Sequence, residues 1–515
     1  MARLPEHDCA LLADVCRQAR LSRDARFDGQ FFTGVFTTGI YCRSICPASP
    51  PHEKNVRYFD TSIKAANHGL RPCLRCRPDS APHSYAWMGT KTTLQRAVKL
   101  IDAGAMAGDN ALSVEQLSEK LGISSRYLVK LFNQYLGTSP KRYAIYQQVM
   151  FAKKLLHQTS MPITEVAFAA GFNSVRSFND AFKQALLLTP SALRKSVNTQ
   201  QNDSGSARQF AAGSVNLPIT LTLSYRPPLN WQAMYDFYHL RQVSQMEWIR
   251  DHSYGRSFDL DGVQGIFELK HIDSKAQFEL SVIFVRPTDS RYLANVVNAV
   301  RKLLDLDADM ATIELQLQQV KVPLLNNTQR QNLLSDSSIK TGLRIPATFS
   351  VFEAACRAVL GQQVSVVQAT KLLNTLVAHY GELMVVNQQA YRLFPTPKAI
   401  ASASLDELKM PGARKLALNA LGQFVADNPQ SVPVDWLNVK GIGPWTVAYA
   451  QMRGQSDPNI FLSGDLVIKN RLKVFCLQCG VTLDTAKQYG ELVDDIALQI
   501  APWGSYLTFQ LWANT

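Results

Sequence analysis

The chain has 515 residues, of which 46% are hydrophobic, so its length allows three or four domains that each bury a core. It contains no run of about 18 apolar residues, so no membrane span is expected, and its charged N-terminal stretch lacks the apolar centre of a signal peptide. The formal net charge is +13, and residues 1–196 hold 26 Lys and Arg against 14 Asp and Glu. This front part therefore has the charge of a polyanion-binding protein, whereas the remainder is nearly neutral.

Cysteines are concentrated in one short segment. Four of the nine follow the spacing Cys-x3-Cys-x26-Cys-x2-Cys, at Cys42, Cys46, Cys73 and Cys76. Two close pairs separated by a loop are typical of a tetrahedral zinc site. We expect a cytoplasmic protein with reduced thiols, and the odd cysteine count also argues against a disulfide framework. The spacing alone leaves open whether such a zinc ion is purely structural.

The segment "FFTGVFTTGIYCRSICPA", followed by "RPCLRCRPD", resembles the N-terminal domain of Ada-type DNA-methylation sensors over about residues 10–80. The resemblance implies that Cys42 accepts a methyl group from a methylphosphotriester in DNA, and that the four cysteines hold one zinc ion, structural and reactive at once. Transfer would replace a thiolate by a neutral thioether and so weaken repulsion from DNA. Nearby Arg43, Arg71 and Arg75 are expected to approach the phosphates.

Residues 112–147 and 163–193 repeat one plan, in which a helix, a tight turn with a glycine, a serine N-cap and a second helix follow one another. The second helices carry the basic side chains Arg126, Lys130, Arg176 and Lys183. Such groups can reach phosphates and base edges, although a plain helical bundle with a solvated basic face remains an alternative. With "GFNSVRSFNDAFK", the pair resembles the AraC-type double helix-turn-helix domain, which implies promoter binding.

The last informative stretch is "VKGIGPWTVAYAQMRG", residues 439–454. Gly441 and Gly443 predict a hairpin whose backbone N–H groups can approach a phosphate. Asp465 follows the next apolar run. From the residues alone this aspartate is a helix cap or a catalyst, and both interpretations stay open.

These segments, with "FEAACRAVLGQQVSVVQATKL" and "PWGSYLTFQLW", resemble 3-methyladenine-DNA glycosylase II, the AlkA type of the helix-hairpin-helix superfamily, over about residues 217–514. Enzymes that also cut the strand have a Lys where this chain has Trp445, so a monofunctional glycosylase is implied. The resemblance makes Asp465 the catalytic carboxylate and Trp445, Tyr449 and Trp512 the pocket for a cationic, flipped base. Without the family, core packing explains these aromatic residues equally well.

Several positions depart from the glycosylase pattern. Lys440 precedes the hairpin, Ser463 and Gly464 precede the catalytic aspartate, and Ala513 follows Trp512. Gln363 stands where a relative wedges a Leu into the minor groove, and we expect it to fill the gap left by the flipped base. The departures motivate one alternative, a transcriptional regulator with an inert glycosylase module. A second is a repair enzyme whose basic front half only anchors DNA.

The sequence thus predicts a mostly α, multidomain protein. A small four-cysteine zinc domain (1–83) precedes an all-α double helix-turn-helix domain (84–196) and a linker (197–216). An α+β, strand-rich subdomain (217–325) and an all-α helix-hairpin-helix glycosylase domain (326–515) follow. Expected partners are damaged and promoter double-stranded DNA and RNA polymerase, for a monomer at the nucleoid without membrane contact. Besides zinc, the hairpin is expected to bind a monovalent cation.

Overall fold

The computed structural model describes residues 13–22, 31–44, 46, 48–59, 64–65, 68–73, 76, 78, 90–102, 104–108, 111–195, 216–323, 330–334, 338–483 and 485–513. Within these ranges the chain is mostly helical and forms two compact units, residues 1–148 and 149–515. None of the described helices is long and apolar enough to cross a membrane.

The first unit opens with a small four-stranded sheet. Helix α1 (Ala13–Ser22) is followed by the strands β1 (Phe32–Val35), β2 (Ile40–Arg43), β3 (Val56–Phe59) and β4 (Arg71–Pro72), which lie in the order β3-β1-β2-β4. β1 pairs antiparallel with β2 and β3, and β4 joins the edge parallel to β2. Phe32, Tyr41, Phe59 and Leu70 form a small core. A sheet this small buries little apolar area, which suits a domain that a metal completes.

The first helix-turn-helix also lies in this unit. Its helices are α2 (Thr90–Asp102), α3 (Val114–Leu121), α4 (Ser125–Leu136) and the start of α5 (Pro140–Gln158). Gly122 ends α3 at φ +70°, in the left-handed region that a side chain disfavours. The Ser124 hydroxyl then accepts the Tyr127 N–H and caps α4. Leu117, Leu128 and Phe132 lie in the core between the helices.

The second helix-turn-helix belongs to the second unit. It has α6 (Ile163–Ala169) and α7 (Val175–Leu186) around Gly171, at φ +85°. Ser174 caps α7 by accepting the Ser177 N–H. Phe178 and Phe182 are fully buried on the opposite face of α7. The serine caps that the sequence predicts are confirmed in both repeats.

A five-stranded antiparallel sheet, in the order β5-β9-β8-β7-β6, forms the strand-rich part of the second unit. Its strands are β5 (Ile219–Ser224), β6 (Glu247–Arg250), β7 (Ser253–Leu260), β8 (Val263–Ile272) and β9 (Gln277–Phe284). Helix α8 (Trp231–Leu240) joins β5 to β6, and α9 (Leu293–Leu303) and α10 (Met310–Gln319) follow the sheet. Two short strands come next, β10 (Lys321–Pro323) and β11 (Arg330–Asn332), which pair antiparallel.

From residue 338 onward, the described secondary structure is mostly helical and includes one β-hairpin. The helices are α11 (Val351–Gly361), α12 (Val366–Tyr380), α13 (Pro397–Ser402), α14 (Gly412–Asp427), α15 (Pro444–Gly454), α16 (Leu466–Gln478), α17 (Ala486–Ile500) and α18 (Gly504–Ala513). The hairpin strands are β12 (Leu383–Val386) and β13 (Gln389–Arg392). Two apolar cores result, one mainly around α11, α12 and α14 and one mainly around α16, α17 and α18. The multidomain, mostly α fold class is confirmed, while the domain boundaries stay a prediction.

A buried group of four charges ties the sheet to these helices. Arg256 of β7 contacts Glu353 of α11 at 3.0 Å and Glu247 of β6 at 3.5 Å. Arg357 contacts both carboxylates, at 2.8 and 3.1 Å. Because an unpaired charge is costly in the interior, this two-by-two pairing fixes how β6 and β7 meet α11.

Candidate metal centre, DNA-binding helices and base pocket

The four clustered cysteines converge on one point. Their sulfurs all lie within 4.8 Å of one another, and the Cys46 and Cys73 sulfurs are 3.9 Å apart. A tetrahedral zinc ion with bonds of about 2.3 Å requires sulfurs about 3.8 Å apart. Soft thiolate donors at this spacing suit zinc, so Cys42, Cys46, Cys73 and Cys76 fit the ion that the sequence predicts.

Strand pairing assembles this site from distant segments. Cys42 lies on β2, and the parallel β4 brings Cys73 beside it, where the Cys73 N–H donates to the Tyr41 carbonyl at 3.0 Å. Arg43 donates its backbone N–H to the Cys76 sulfur at 3.3 Å and its guanidinium to the Cys76 carbonyl at 3.2 Å. Arg43 is buried, and its two hydrogen bonds hold Cys76 in place. A DNA contact of Arg43 stays a prediction.

Arg71 and Arg75 are the two other arginines that were expected to approach the phosphates. Arg71 is exposed on β4 and lines the opening beside Cys42, as a phosphate contact requires. Arg75 lies outside the described residues.

Thiols this close perturb one another's ionisation. Hydrogen bonding to Cys46 and Cys76, with burial, raises the pKa of Cys42 far above its ordinary value. Donation by Cys42 and Cys76 lowers the pKa of Cys46 to about 2. A bound divalent cation would allow all four thiols to ionise.

Cys42 opens onto a cavity of about 350 Å³. Cys42 is half-buried, while Cys73 and Cys76 are each 7% exposed. Thr33 lies opposite Cys42 in the β1–β2 register, and both residues line the cavity. Cys46 is half-buried and lines the cavity as well. Cys42 and Cys46 are therefore the sulfurs that combine partial exposure with an adjoining space for a reactant.

All four basic residues predicted on the second helices of the repeats are exposed. Arg126 and Lys130 lie on α4, and Arg176 and Lys183 lie on α7. Each helix buries the opposite face, with Leu128 and Phe132 in α4 and Phe178 and Phe182 in α7. The basic faces are thus available to a polyanion, while DNA binding by these residues remains a prediction.

The predicted hairpin is present at the start of α15. Gly441 has φ +90°, and a Cβ there would lie 2.6 Å from the Ala417 Cβ, so this position admits only glycine without a shift. Gly443 is the N-cap of α15 at φ −103°, and a Cβ there would meet nothing within 4 Å. The first glycine serves close packing on α14, whereas the second leaves the backbone open to an approaching phosphate.

Asp465 is both a helix cap and the centre of a polar site. Its Oδ1 accepts the backbone N–H groups of Val467 and Ile468, at 3.0 and 3.3 Å, and so caps α16. Its Oδ1 also accepts the indole N–H of Trp512 and its Oδ2 that of Trp445, each at 3.2 Å. The carboxylate is half-buried. The helix-cap interpretation of Asp465 is confirmed, and it is compatible with the catalytic interpretation, which stays a prediction.

The aromatic residues predicted for the base pocket lie together. The ring centroids of Trp445 and Tyr449 are 5.3 Å apart, and those of Tyr449 and Trp512 are 6.4 Å apart. All three are half-buried against the core around α16, α17 and α18. They form the edge of that core and keep part of their rings accessible, which is what stacking on a flipped base requires.

Gln363 lies in the turn between α11 and α12. It is exposed, with φ +56°, an unusual value for a residue with a side chain. Its neighbour Gln362 donates its side-chain amide to the Thr446 hydroxyl at 3.2 Å and accepts the Arg414 guanidinium on its carbonyl at 2.8 Å. The turn is therefore anchored to α15 and α14, next to the hairpin.

Sequence reasoning missed two supporting residues. Arg453 is 2% exposed and donates to the Tyr449 hydroxyl at 2.7 Å. Burial favours a raised pKa of Tyr449, but Arg453 and Arg241 outweigh it and lower that pKa. Tyr489 donates its hydroxyl to the Ser463 carbonyl and so holds the segment before Asp465. The i, i+4 spacing of Tyr449 and Arg453 was a usable signal, whereas nothing in the sequence points to Tyr489.

Comparison with known proteins finds an Ada-type, a helix-turn-helix and an AlkA-type region in this order along the chain. Family models match for the metal binding domain of Ada at residues 15–79, a helix-turn-helix domain at 117–196 and the AlkA N-terminal domain at 220–350. DNA-3-methyladenine glycosylase 2 of Escherichia coli is 29% identical over 56% of this chain and 96% of its own length. Regulatory protein ada of Salmonella typhimurium is 31% identical over 36% of this chain and 50% of its own length. The resemblances drawn from the sequence are confirmed.

One of the relatives aligns with nearly the whole chain. The probable bifunctional transcriptional activator/DNA repair enzyme AlkA of Mycobacterium tuberculosis is 34% identical over 97% of this chain and 96% of its own length. The match runs through the zinc-type domain, the helix-turn-helix repeats and the glycosylase-type domain alike. This chain therefore belongs to the AlkA family of bifunctional transcriptional activators and DNA repair enzymes.

Proposed function

We propose that this protein repairs alkylated DNA and activates the transcription that responds to alkylation. Cys42 takes a methyl group from a DNA methylphosphotriester in a single turnover, the helix-turn-helix repeats bind promoter DNA, and the C-terminal part excises alkylated purines. The observation that carries the enzymatic half is the Asp465 carboxylate, which accepts the indole N–H groups of Trp445 and Trp512 beside the ring of Tyr449.

Methyl transfer needs only one nucleophile and a neutral electrophile. The Cys42 sulfur attacks the methyl carbon, the S–C bond forms as the C–O bond breaks, and the electron pair stays on the oxygen of an ordinary phosphodiester. Zinc held by the four cysteines would keep the sulfurs as thiolates at neutral pH. Burial of Cys73 and Cys76 argues against these two sulfurs, and the N–H bond from Arg43 makes Cys76 a still weaker nucleophile. The Ada-type resemblance selects Cys42 over the equally half-buried Cys46 as the acceptor.

This transfer also supplies a switch. Conversion of one thiolate to a thioether removes one negative charge next to the exposed Arg71. At an effective dielectric near 20, one charge about 4 Å from a phosphate is worth up to about 4 kcal/mol. We infer that the methylated protein binds promoter DNA more tightly through α4 and α7 and recruits RNA polymerase there.

Base excision follows from the arrangement around Asp465. N3-methyladenine and N7-methylguanine carry a positive charge, and stacking on Trp445 and Tyr449 favours a cationic ring. The glycosidic bond breaks with its electron pair leaving on the base, and the Asp465 carboxylate stabilises the oxocarbenium-like sugar until water adds. Trp445 occupies the position where a Schiff-base lysine would stand, so the strand is left uncut and the product is an abasic site. 3-Methyladenine and 7-methylguanine are the expected products.

Three contacts around the lesion complete the proposal. Gln363, at the tip of its anchored turn, fills the space left by the flipped base. Gly441 and Gly443 present the α15 backbone to a phosphate, together with a monovalent cation. We infer that the chain acts as a monomer at the nucleoid.

The test is release of free base from methylated duplex DNA by the full chain. Release of 3-methyladenine would support the enzyme half. A native chain that binds promoter DNA but releases no base would instead favour a regulator with an inert glycosylase module.

A further inference from the structure

The cavity beside Cys42 is larger than the transferred methyl group, and its lining also includes Arg71, the expected contact of the phosphate. A methyl group takes up roughly the volume of one water molecule, on the order of 30 Å³, whereas this cavity holds about 350 Å³. The surplus lies against the acceptor sulfur itself, because Cys42 is part of the lining.

The space results from small residues at two positions. Thr33 is the cross-strand partner of Cys42, and such partners project from the same face of a sheet. A threonine there leaves the volume that a larger side chain would occupy. Ala48, which is half-buried, leaves further room on the loop beyond Cys46.

Most of the remaining wall is carbon. Val35, Ile40, Pro50 and Pro51 line the cavity together with Thr33. Arg20, Arg43 and Arg71 are the charged members of the lining. The apolar part of the wall favours an alkyl chain over water.

We propose that this cavity admits alkyl groups longer than methyl, so that Cys42 also takes groups of ethyl and allyl size from DNA alkylphosphotriesters. The inference rests on the methyl-transfer function proposed above and names the class of substrate for that same site. The step balances as for methyl: the Cys42 sulfur forms a bond to the first carbon of the alkyl group, the carbon–oxygen bond breaks, and its electron pair remains on the phosphodiester. No further reactant is needed.

The experiment compares two duplex oligonucleotides that carry one methyl or one allyl phosphotriester, each with the full-length, zinc-loaded chain. Allyl carbon is intrinsically reactive in displacement, so the comparison isolates size. The mass of the peptide that contains Cys42 identifies the adduct, and zinc content reports whether the domain remains folded. We expect allyl transfer within about tenfold of methyl transfer, since a pocket that accommodates the group imposes no steric barrier.

Filling the cavity should remove this tolerance. Thr33→Phe should lower the allyl-to-methyl rate ratio by about tenfold or more, whereas the isosteric Thr33→Val should change it by less than about threefold. If Thr33→Phe loses zinc, Ala48→Leu places the added volume at a half-exposed position and should lower the same ratio. Methyl transfer without allyl transfer in the native chain, or a ratio that neither filling variant lowers, would overturn the proposal. Absence of methyl transfer from the native chain would overturn the proposed function itself, and this proposal with it.

Discussion

Trp512 donates its indole N–H to the carboxylate of Asp465 across 3.2 Å, over a sequence separation of 47 residues. Trp445 makes the matching bond to the other oxygen. The two tryptophans proposed for the base pocket therefore also orient this carboxylate. In the proposed reaction, stacking of the base and stabilisation of the sugar would be coupled through two indole nitrogens.

Trp512→Phe separates these two roles, because phenylalanine keeps an aromatic ring but has no N–H. A hydrogen bond to a charged group contributes about 1.5–3 kcal/mol, so we expect base release to slow by about tenfold or more, mainly in kcat. Single-turnover kinetics on 3-methyladenine DNA measure this. Trp503→Phe is the matched control, since Trp503 is a half-buried indole that packs on Tyr506. Equal rates for the two variants would contradict the orienting role of Trp512.

Replacing the two hairpin glycines, Gly441 and Gly443, should lower the free energy of unfolding by different amounts. Gly441→Ala combines φ +90° with a Cβ 2.6 Å from the Ala417 Cβ, so it should destabilise the chain by about 1–3 kcal/mol. Gly443→Ala meets nothing within 4 Å and should cost less than about 1 kcal/mol. Urea unfolding measures both values.

Gly443→Ala should nevertheless weaken binding to damaged duplex DNA several-fold, because its methyl group would stand where the phosphate approaches. Unchanged DNA affinity in this variant would argue against the hairpin as a phosphate site.

The buried charge group predicts an acid-sensitive C-terminal part. Burial would raise the pKa of Glu353, but Arg256 and Arg357 outweigh it and lower that pKa to about 2. A pKa lower in the folded than in the unfolded state stabilises above the unfolded value of about 4.5, and the stabilisation is lost as pH falls towards 2. The loss is on the order of 3 kcal/mol.

Glu353→Gln should remove this pH dependence and destabilise the chain by about 3–5 kcal/mol at neutral pH, since it leaves buried arginines uncompensated. Tryptophan fluorescence is a suitable probe of urea unfolding, because six of the seven tryptophans lie in residues 231–512. Glu491→Gln, at a carboxylate that is 68% exposed beside Lys487, serves as control and should have little effect. Identical pH profiles for the native chain and Glu353→Gln would refute the assignment.

The basic faces of α4 and α7 should contribute separately to promoter binding. Arg126→Ala and Arg176→Ala should each weaken DNA binding, and each should reduce the slope of log affinity against log salt by about one if the residue contacts a phosphate. Lys120→Ala is the control, because Lys120 is exposed on α3, the first helix of the repeat that contains Arg126. A salt slope that neither arginine changes would leave the basic faces as ordinary solvated surface.

Local patterns predicted the elements that local forces determine. The cysteine spacing indicated a metal site, and the glycine and serine at each turn indicated the helix-turn-helix repeats, because capping and ligand geometry depend on neighbours in the chain. Gly441 and Gly443 themselves indicated the hairpin, whereas the pocket role of the aromatic residues came only from the resemblance. The partial exposure of these aromatic residues agrees with that role.

Register and burial could not be predicted in this way. The pairing of Thr33 with Cys42 depends on which residues of two strands face each other. Arg43 was expected at the DNA surface, yet it is 6% exposed and holds Cys76, because alternation along β2 turns it inwards. The double role of Asp465, as helix cap and as partner of two tryptophans, likewise depends on the tertiary contact of three helices.

The central claim is that one chain carries a base-excising site and a separate methyl-accepting site. The most direct measurement is release of free base from methylated duplex DNA by the native chain, Asp465→Asn and Cys42→Ala. Asparagine is also a good helix cap, so Asp465→Asn keeps the fold of α16. We expect 3-methyladenine release by the native chain and by Cys42→Ala, and a loss of at least about a hundredfold in Asp465→Asn. No release by the native chain, or equal release by Asp465→Asn, would contradict the account.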